Sequence, residues 1–256
     1  MIRVGVVGAA GRMGREVCRA VAADADLELV AAVDPSHAGQ IVEDSMLAGS
    51  LDALTEAGAE VVVEFTRSEA AAANIEWCVG HGLHVVTGTT GFEPSPAWAE
   101  QRDVGVFMAA NFAIGAVLMM RFAEEAARHL PDVEIVELHH ADKPDAPSGT
   151  SIATARRLAA ARGPRPVAPE ASAERLPGAR GADVDGVRVH SVRLPGLVAH
   201  QEVILGGLGQ TLTIRHDSTS HGSFMPGVLM AVKAVPSRPG LTVGLDALLG
   251  SGDGPT

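Results

Sequence analysis

The strongest constraint on the fold lies in residues 2–23. Ile2 to Val7 is a short apolar run with β-branched side chains, the pattern of a buried strand. Gly8-Ala-Ala-Gly11-Arg-Met-Gly14 follows, and an amphipathic run continues to Ala23. A strand that enters a helix through a glycine turn is the context of a dinucleotide fingerprint. In that reading Gly8 permits the tight turn, Gly11 lets the backbone approach a pyrophosphate, and Gly14 lets the helix pack closely on the strand. The pattern is G-x-x-G-x-x-G, so the second glycine is displaced by one position from the strict form. A glycine turn with no ligand is the alternative.

The runs that follow keep the same rhythm. Leu27 to Val33 reads as a strand and ends at Asp34, an acid about 20 residues beyond the fingerprint, where adenosine ribose hydroxyls are held. An ordinary surface aspartate fits the same position. Pro35 to Gly58 is less regular, with one short helical stretch at Asp52 to Ala57. Val61 to Phe65 is a strand and Glu69 to Val79 a helix. His84 to Thr87 is a strand that runs into Gly88-Thr89-Thr90-Gly91. A Gly/Thr turn after a parallel strand lies in a ligand crevice, although a plain turn has the same pattern. Val104 to Met108 is a further strand, Ala109-Ala110-Asn111-Phe112 follows, and Ile114 to His129 is helical. Residues 1–109 therefore alternate strand and helix, as a doubly wound parallel sheet does.

Beyond residue 109 the rhythm changes. Val133 to His140 reads as a strand and Ile152 to Ala161 as a helix, joined by a segment that carries His139, His140, Lys143 and Pro147-Ser-Gly-Thr150. The free N–H groups of a helix start form an anion site, which suits a small acidic substrate. His139 or Lys143 could deliver a proton there; a polar surface loop is the bland alternative. Residues 163–185 are rich in Pro, Ala, Gly and charge and read as a loop. Val187 to Arg193, Ala199 to Leu205 and Gln210 to His216 are consecutive strands, which suggests an antiparallel or mixed sheet. His190, His200 and His216 read as structural and lack metal-ligand spacing. Phe224 to Val232 reads as a helix with Pro226 near its start, and residues 250–256 as a frayed tail.

Composition narrows the function classes. A chain of 256 residues that is 46% hydrophobic can bury one large core or two modest ones. A net charge of −11 supplies no basic face and argues against nucleic acid. No apolar run reaches the ~20 residues of a membrane helix, and no signal peptide is visible. Cys18 and Cys78 lack metal or redox spacing, which suggests buried thiols and a cytoplasmic protein.

The segment Glu137-Leu-His-His-Ala-Asp-Lys-Pro-Asp-Ala-Pro-Ser-Gly-Thr150 resembles the signature of the 4-hydroxy-tetrahydrodipicolinate reductase (dihydrodipicolinate reductase) family of bacterial diaminopimelate and lysine synthesis. The family reads Glu-x-His-His-x-x-Lys-x-Asp-Ala-Pro-Ser-Gly-Thr, and every fixed position is present. The likeness extends to the glycine turn, to Gly88–Gly91, to Ala109–Phe112, to Arg193-Leu-Pro-Gly and to Phe224-Met-Pro-Gly. It implies an α/β fold, an N-terminal Rossmann-type doubly wound parallel sheet plus a smaller α+β domain with a mixed sheet. Residues 1–109, completed by 220–256, would bind the dinucleotide; 110–219 would bind substrate and form a homotetramer.

The resemblance also implies an activity: reduction of 4-hydroxy-tetrahydrodipicolinate to tetrahydrodipicolinate, with loss of water, at the expense of NADH or NADPH. By matching positions, His139 and Lys143 are the acid pair, and the cyclic dicarboxylate is held by His140, Ser148, Gly149 and Thr150. Asp145 and Ser148 shape the loop rather than react. The cofactor would lie on Gly8, Ala9, Ala10, Gly11, Arg12, Met13, Asp34, Gly88, Thr89, Thr90, Ala109, Ala110, Asn111 and Phe112, with no metal. Asp34 favours a free ribose diol, hence NADH over NADPH, and Pro35 adds no cation; Arg12 and Arg15 could still rescue the 2′-phosphate. One departure is His221, where the family often has Arg. Two other readings remain: a dinucleotide-sensing regulator without turnover, which has no need of His-His-x-x-Lys, and an amino-acid dehydrogenase of similar build, which leaves Pro-Ser-Gly-Thr unexplained.

Overall fold

A computed structural model describes residues 1–163 and 174–250. Residues 251–256 of the frayed tail expected at 250–256, and residues 164–173 of the loop expected at 163–185, lie outside the described residues. The chain divides into two compact units, one formed by Met1–Ile114 with the segment from His221 onward, the other by Gly115–Ser220.

The first unit is built on an eight-stranded sheet. Its strands are β1 (Ile2–Val7), β2 (Leu27–Val33), β3 (Ile41–Val42), β4 (Ser45–Ala48), β5 (Val61–Glu64), β6 (His84–Thr87), β7 (Gly105–Met108) and β13 (Gly240–Val243). Its helices are α1 (Arg12–Ala23), α2 (Asp52–Glu56), α3 (Ser68–Gly80), α4 (Pro96–Ala99) and α7 (Met225–Ala234). The strand order is β13-β7-β6-β5-β1-β2-β4-β3. Every neighbouring pair is parallel except β3 with β4. The chain builds outward from β1 through β2 to β4, then returns to lay β5 on the other side of β1. The order therefore reverses between β1 and β5, and in such sheets ligands bind in the crevice outside the carboxyl ends of the strands at that point.

The central strands are buried on both faces, which is why they read as continuous valine runs rather than as alternating ones: Val4, Val6, Val61, Val62, Val63, Val85 and Val86 are fully covered. On α1 the buried residues are Gly14, Val17, Cys18 and Val21, one face at helical spacing. Burying each valine contributes roughly 1.5–3 kcal/mol. Cys78 joins the same core on α3, and both thiols are free.

Four details of this unit differ from the sequence reading. The irregular stretch after Pro35 contains the β3–β4 hairpin, whose turn residues Glu43 and Asp44 take φ of +45° and +62° without a glycine. Short α4 and β13 were not expected; β13 extends the sheet by pairing with β7. The break between units falls after Ile114 rather than after residue 109. Its cause is Phe112, which is buried and packs its ring against Phe65 and Phe107 of the first unit.

The second unit contains α5 (Ile114–Ala127, mostly within it), β8 (Asp132–His139), α6 (Gly149–Arg162), β9 (Ala182–Val184), β10 (Val187–Arg193), β11 (Ala199–Gly207) and β12 (Gln210–Ser218). Its sheet runs β12-β11-β8-β10-β9. β8 pairs in parallel with β10 and antiparallel with β11, so the sheet is mixed. Strand β9 lies inside the segment expected to be loop; it pairs with β10 through a two-residue Asp185-Gly186 turn, with Asp185 at φ +51°. Val133, Ile135 and Glu137 of β8 share one buried face with Gln201, Val203 and Leu205 of β11. Helix α6 covers that face, and Gln201 donates to Thr154 Oγ1 at 2.9 Å.

Candidate active site

In the first unit the expected cofactor residues all fall at the carboxyl ends of parallel strands. Gly8–Met13 follow β1, Asp34 follows β2, Gly88–Thr90 follow β6, and Ala109–Phe112 follow β7. Gly8 has φ +81°, and a Cβ there would stand 2.4 Å from the Phe65 carbonyl oxygen. A Cβ on Gly14 would stand 2.0 Å from the Gly8 carbonyl oxygen, so only glycine lets α1 start this close to β1. Gly11 is the N-cap of α1 and is exposed; a Cβ there would meet only Gly8 O, at 3.2 Å, within 4 Å. The open side of the turn thus faces away from the protein, at a helix start that favours anions.

Asp34 is more engaged than the sequence suggested. Its Oδ2 accepts from the Ala10 N–H at 3.2 Å, and its Oδ1 accepts from the Ser36 N–H at 3.2 Å. The His37 ring nitrogen Nδ1 lies 2.9 Å from the same Oδ1. A carboxylate oxygen has two lone-pair sites, so one site on Oδ2 is left for a ribose hydroxyl. His37 is a basic group beside the ribose position that sequence order hid, because it stands three residues past Asp34 and a short 3₁₀ turn brings it back. Arg15 donates from Nε to the Ala10 carbonyl at 2.9 Å, so it braces the glycine turn.

A buried acid, Glu64, holds the crevice floor and was also missed. It is fully covered at the end of β5, where Val-Val-Val-Glu reads as an ordinary strand end. It accepts from the Thr66 N–H at 3.0 Å, from the Thr66 hydroxyl, and from the Thr87 hydroxyl at 2.9 Å. Thr87 Oγ1 in turn accepts the Thr89 N–H at 3.2 Å, which pins the Gly88-Thr89-Thr90 turn. The Thr89 hydroxyl is buried and has no partner among the described residues. An unpaired buried hydroxyl costs on the order of 1–3 kcal/mol, and a polar group of a ligand in the crevice would relieve that. The open glycine turn, the remaining Asp34 acceptor and this hydroxyl together fit a dinucleotide.

In the second unit the expected residues share the end of β8, the following loop and the start of α6. His139 is the last residue of β8, His140 follows it, and the Lys143 N–H donates to the His140 carbonyl at 3.2 Å. Ser148 is the N-cap of α6, and its hydroxyl accepts the Ser151 N–H at 3.2 Å. The cap spends Ser148 on its own helix. It leaves the N–H groups of Gly149 and Thr150 without partners among the described residues. A Cβ on Gly149 would meet nothing within 4 Å, so there is room in front of those donors.

Behind this loop lies an ion network. Glu137 is fully buried and accepts from Arg193 in bidentate fashion, Nη1 to Oε2 at 2.9 Å and Nη2 to Oε1 at 2.8 Å. The His139 Nδ1 also hydrogen-bonds Glu137 Oε2. Burial pushes the Glu137 carboxyl up, but hydrogen bonds from His139, Arg193 and Ser191 outweigh it and bring it down to about 2. Lys143 Nζ donates to Asp145 Oδ1 at 2.7 Å, and that bond holds the Asp145 carboxyl below its usual range. Two of the other histidines have structural partners: His190 pairs with Glu134 at 2.8 Å and His200 with Asp217 at 2.6 Å.

The fold and the crevice define the class first: a two-unit α/β protein whose first unit fits a dinucleotide. Comparison with known proteins gives the family. The sequence model for the N-terminus of dihydrodipicolinate reductase matches residues 2–112, and that for its C-terminus matches residues 115–249. The chain is 54% identical to the 4-hydroxy-tetrahydrodipicolinate reductase of Nocardia farcinica, over 97% of this chain and 98% of that one. It is 51% identical to the enzyme of the same name from Streptomyces griseus, over 97% and 98%. Among solved structures, the dipicolinate-bound dihydrodipicolinate reductase from Paenisporosarcina sp. TG-14 superposes with a TM-score of 0.86 at 38% identity, over 97% of this chain and 99% of that one. The chain belongs to the dihydrodipicolinate reductase family.

Proposed function

We propose that this enzyme reduces 4-hydroxy-tetrahydrodipicolinate to tetrahydrodipicolinate, with loss of water, in the synthesis of diaminopimelate and lysine. The observation that carries the proposal is local to the second unit: one strand end bears His139 and His140, and the loop from it runs through Lys143 to two unpaired N–H groups at the start of α6. Those donors suit a carboxylate. When bound, the reduced nicotinamide supplies a hydride to the ring carbon conjugated with the substrate imine. The neighbouring carbon then takes a proton, and His139 and Lys143 are the donors in reach of a ring anchored at Gly149, Thr150 and His140. At rest Lys143 is held by exposed Asp145, an ion pair that a substrate carboxylate can replace. A regulator without turnover gives no reason for this set of donors. The test is NADH consumption with the condensation product of aspartate semialdehyde and pyruvate, against consumption with simple 2-oxo acids plus ammonia. Turnover with the second set alone would make the protein an amino-acid dehydrogenase.

The first unit, with Asp34 at the ribose position, favours NADH, and NADPH is a second cofactor. Asp34 keeps only one free acceptor site, and His37 stands beside it, so the preference is modest. Specificity constants for the two should differ by less than about tenfold, since one charged hydrogen bond is worth ~1.5–3 kcal/mol and is partly offset here. A tenfold advantage for NADPH would remove Asp34 from the account.

The enzyme acts as a homotetramer assembled through the second unit. The sheet face opposite α6 carries Val136, Leu138, Val192 and Ile204, all half-exposed, among paired ions such as His190–Glu134 and Arg215–Glu202. A sheet face that mixes apolar side chains with ions of both signs suits a second copy, and sedimentation reads the state. Two buried free thiols suit a reducing cytoplasm. No helix among the described residues is long and apolar enough to cross a membrane.

A further inference from the structure

We infer that Glu137 and Arg193 are positioning residues which fix His139 with Nε2 as its working nitrogen and tie the Lys143 loop to the same anchor. The inference rests on the reductase reading for its kinetic part and on geometry alone for the rest. Glu137 and His139 are two residues apart on β8 and so project from the same side of the strand. In the register of the sheet, Ser191 of β10 lies opposite Glu137 and Arg193 opposite His139. Arg193 therefore reaches back across the sheet to close on Glu137 with both terminal nitrogens.

The consequence for His139 is a matter of donors and acceptors. An ionised carboxylate can only accept. Glu137 is fully buried and held by a bidentate guanidinium, the partner that keeps a carboxylate ionised. The ring nitrogen that meets it, Nδ1, must then carry a hydrogen. The neutral ring has its lone pair on Nε2, and the charged ring has its exchangeable proton there. A proton handed to a substrate carbon leaves from Nε2 and returns to Nε2, while Nδ1 never changes state.

The consequence for Lys143 runs through a second hydrogen bond from the same arginine nitrogen that holds Glu137 Oε1. Arg193 Nη2 donates to the Asp145 carbonyl at 2.6 Å, and the Asp145 carboxylate holds Lys143 at 2.7 Å. One side chain on β10 thus restrains both proposed donors, although 48 residues separate it from Asp145 and 56 from Glu137. Ordinary sheet stability does not call for this arrangement, because replacing a buried ion pair by apolar groups is often neutral or stabilising.

The decisive experiment is nitrogen-15 NMR of the His139 ring in the resting protein, with assignment by comparison with His139→Gln. The expected result is a neutral ring protonated on Nδ1, with Nε2 as the nitrogen that shifts on titration. Glu137→Gln should move the neutral ring toward the Nε2–H tautomer and lower kcat on the order of 100-fold, with KM for NADH unchanged. Arg193→Lys keeps the charge but loses the fork, and should lower kcat by a smaller factor. A neutral His139 protonated on Nε2 in the unmodified protein overturns the inference, as does a Glu137→Gln variant with native tautomer and native kcat. The tautomer is read without substrate. A protein that shows the Nδ1–H ring yet fails to turn over the proposed substrate would refute the function and leave the positioning intact. If Glu137→Gln fails to fold, the spectrum of the native protein and Arg193→Lys still decide.

Discussion

The two candidate sites are made of different material. The crevice of the first unit is mostly backbone: a glycine turn, strand ends, and one chain of hydroxyls resting on Glu64. The site of the second unit is mostly charge: Glu137, Arg193, His139, Lys143 and Asp145 in one network, with two helix-start N–H groups in front. The difference matches what each is proposed to do. Holding a dinucleotide requires shape and close approach, which a Cβ in the wrong place destroys. Delivering a proton requires groups whose ionisation and orientation are fixed, which a missing charge destroys. Backbone shape in one site and charge in the other should therefore fail separately.

The largest expected separation comes from the donors. His139→Ala or Lys143→Ala should lower turnover about 100-fold or more, while the dissociation constant for NADH stays native. Steady-state kinetics beside calorimetric titration of NADH check both halves. Near-native turnover in either variant would strip that residue of its role.

Acid should attack the second site through Glu137. Its carboxyl sits at about 2 in the folded protein against an ordinary value of 4.5. A depressed folded value gives stability that is present above 4.5 and lost as pH falls from there toward 2. The stake is roughly 3 kcal/mol. Unfolding free energies of the native protein and Glu137→Gln, compared across that window, should converge as pH falls. A constant difference between them would mean that Glu137 is not the group being protonated.

Next in size is damage to the glycine turn. Gly14→Ala places a Cβ 2.0 Å from the Gly8 carbonyl oxygen and 2.7 Å from Ala9 Cα, both backbone atoms that cannot swing aside. Overpacking of this kind costs ~1–3 kcal/mol, and NADH affinity should drop about tenfold or more. The His139 ring signals should not change. If they move together with NADH affinity, the independence of the two sites is broken.

A smaller effect distinguishes two ligands of the second site. Pyridine-2,6-dicarboxylate, or dipicolinate, is flat, carries two carboxylates and has no activated bond for a hydride. In the present protein this compound should inhibit in competition with substrate. Pyridine-2-carboxylate lacks one anchor and should bind about tenfold more weakly, since a charged hydrogen bond is worth ~1.5–3 kcal/mol. Equal inhibition constants would mean that the Gly149–Thr150 donors and the His140–Lys143 side do not act as two anchors.

In both units the sequence exposed what is local and hid what is paired across the fold. A glycine turn between an apolar run and an amphipathic run is a local pattern, and so are Asp34 at a strand end and Ser148 before a helix. The alternation of strand and helix revealed the parallel sheet for the same reason. What stayed hidden depends on pairing between distant segments. Arg193 meets Glu137 across 56 residues, and only the parallel register of β10 on β8 brings them together. Glu64 drew no notice inside the Val61 to Phe65 strand, because its partner, the Thr87 hydroxyl, comes from β6, 23 residues away. Strand β9 was legible in principle, because Asp185-Gly186 is a hairpin signal. The β3–β4 turn was not, because Glu43 and Asp44 take left-handed conformations with no glycine to announce them.

In the proposed reaction hydride and proton reach adjacent ring carbons from different sources, the first from the nicotinamide and the second from a side chain that exchanges with water. Deuterium on the transferable position of NADH, followed by mass spectrometry of the product made in ordinary water, tests it directly. Tetrahydrodipicolinate carrying one cofactor-derived deuterium, formed in step with NADH consumption, is the predicted result. Product without the label, or no consumption of NADH in the presence of the cyclic substrate, would contradict the account.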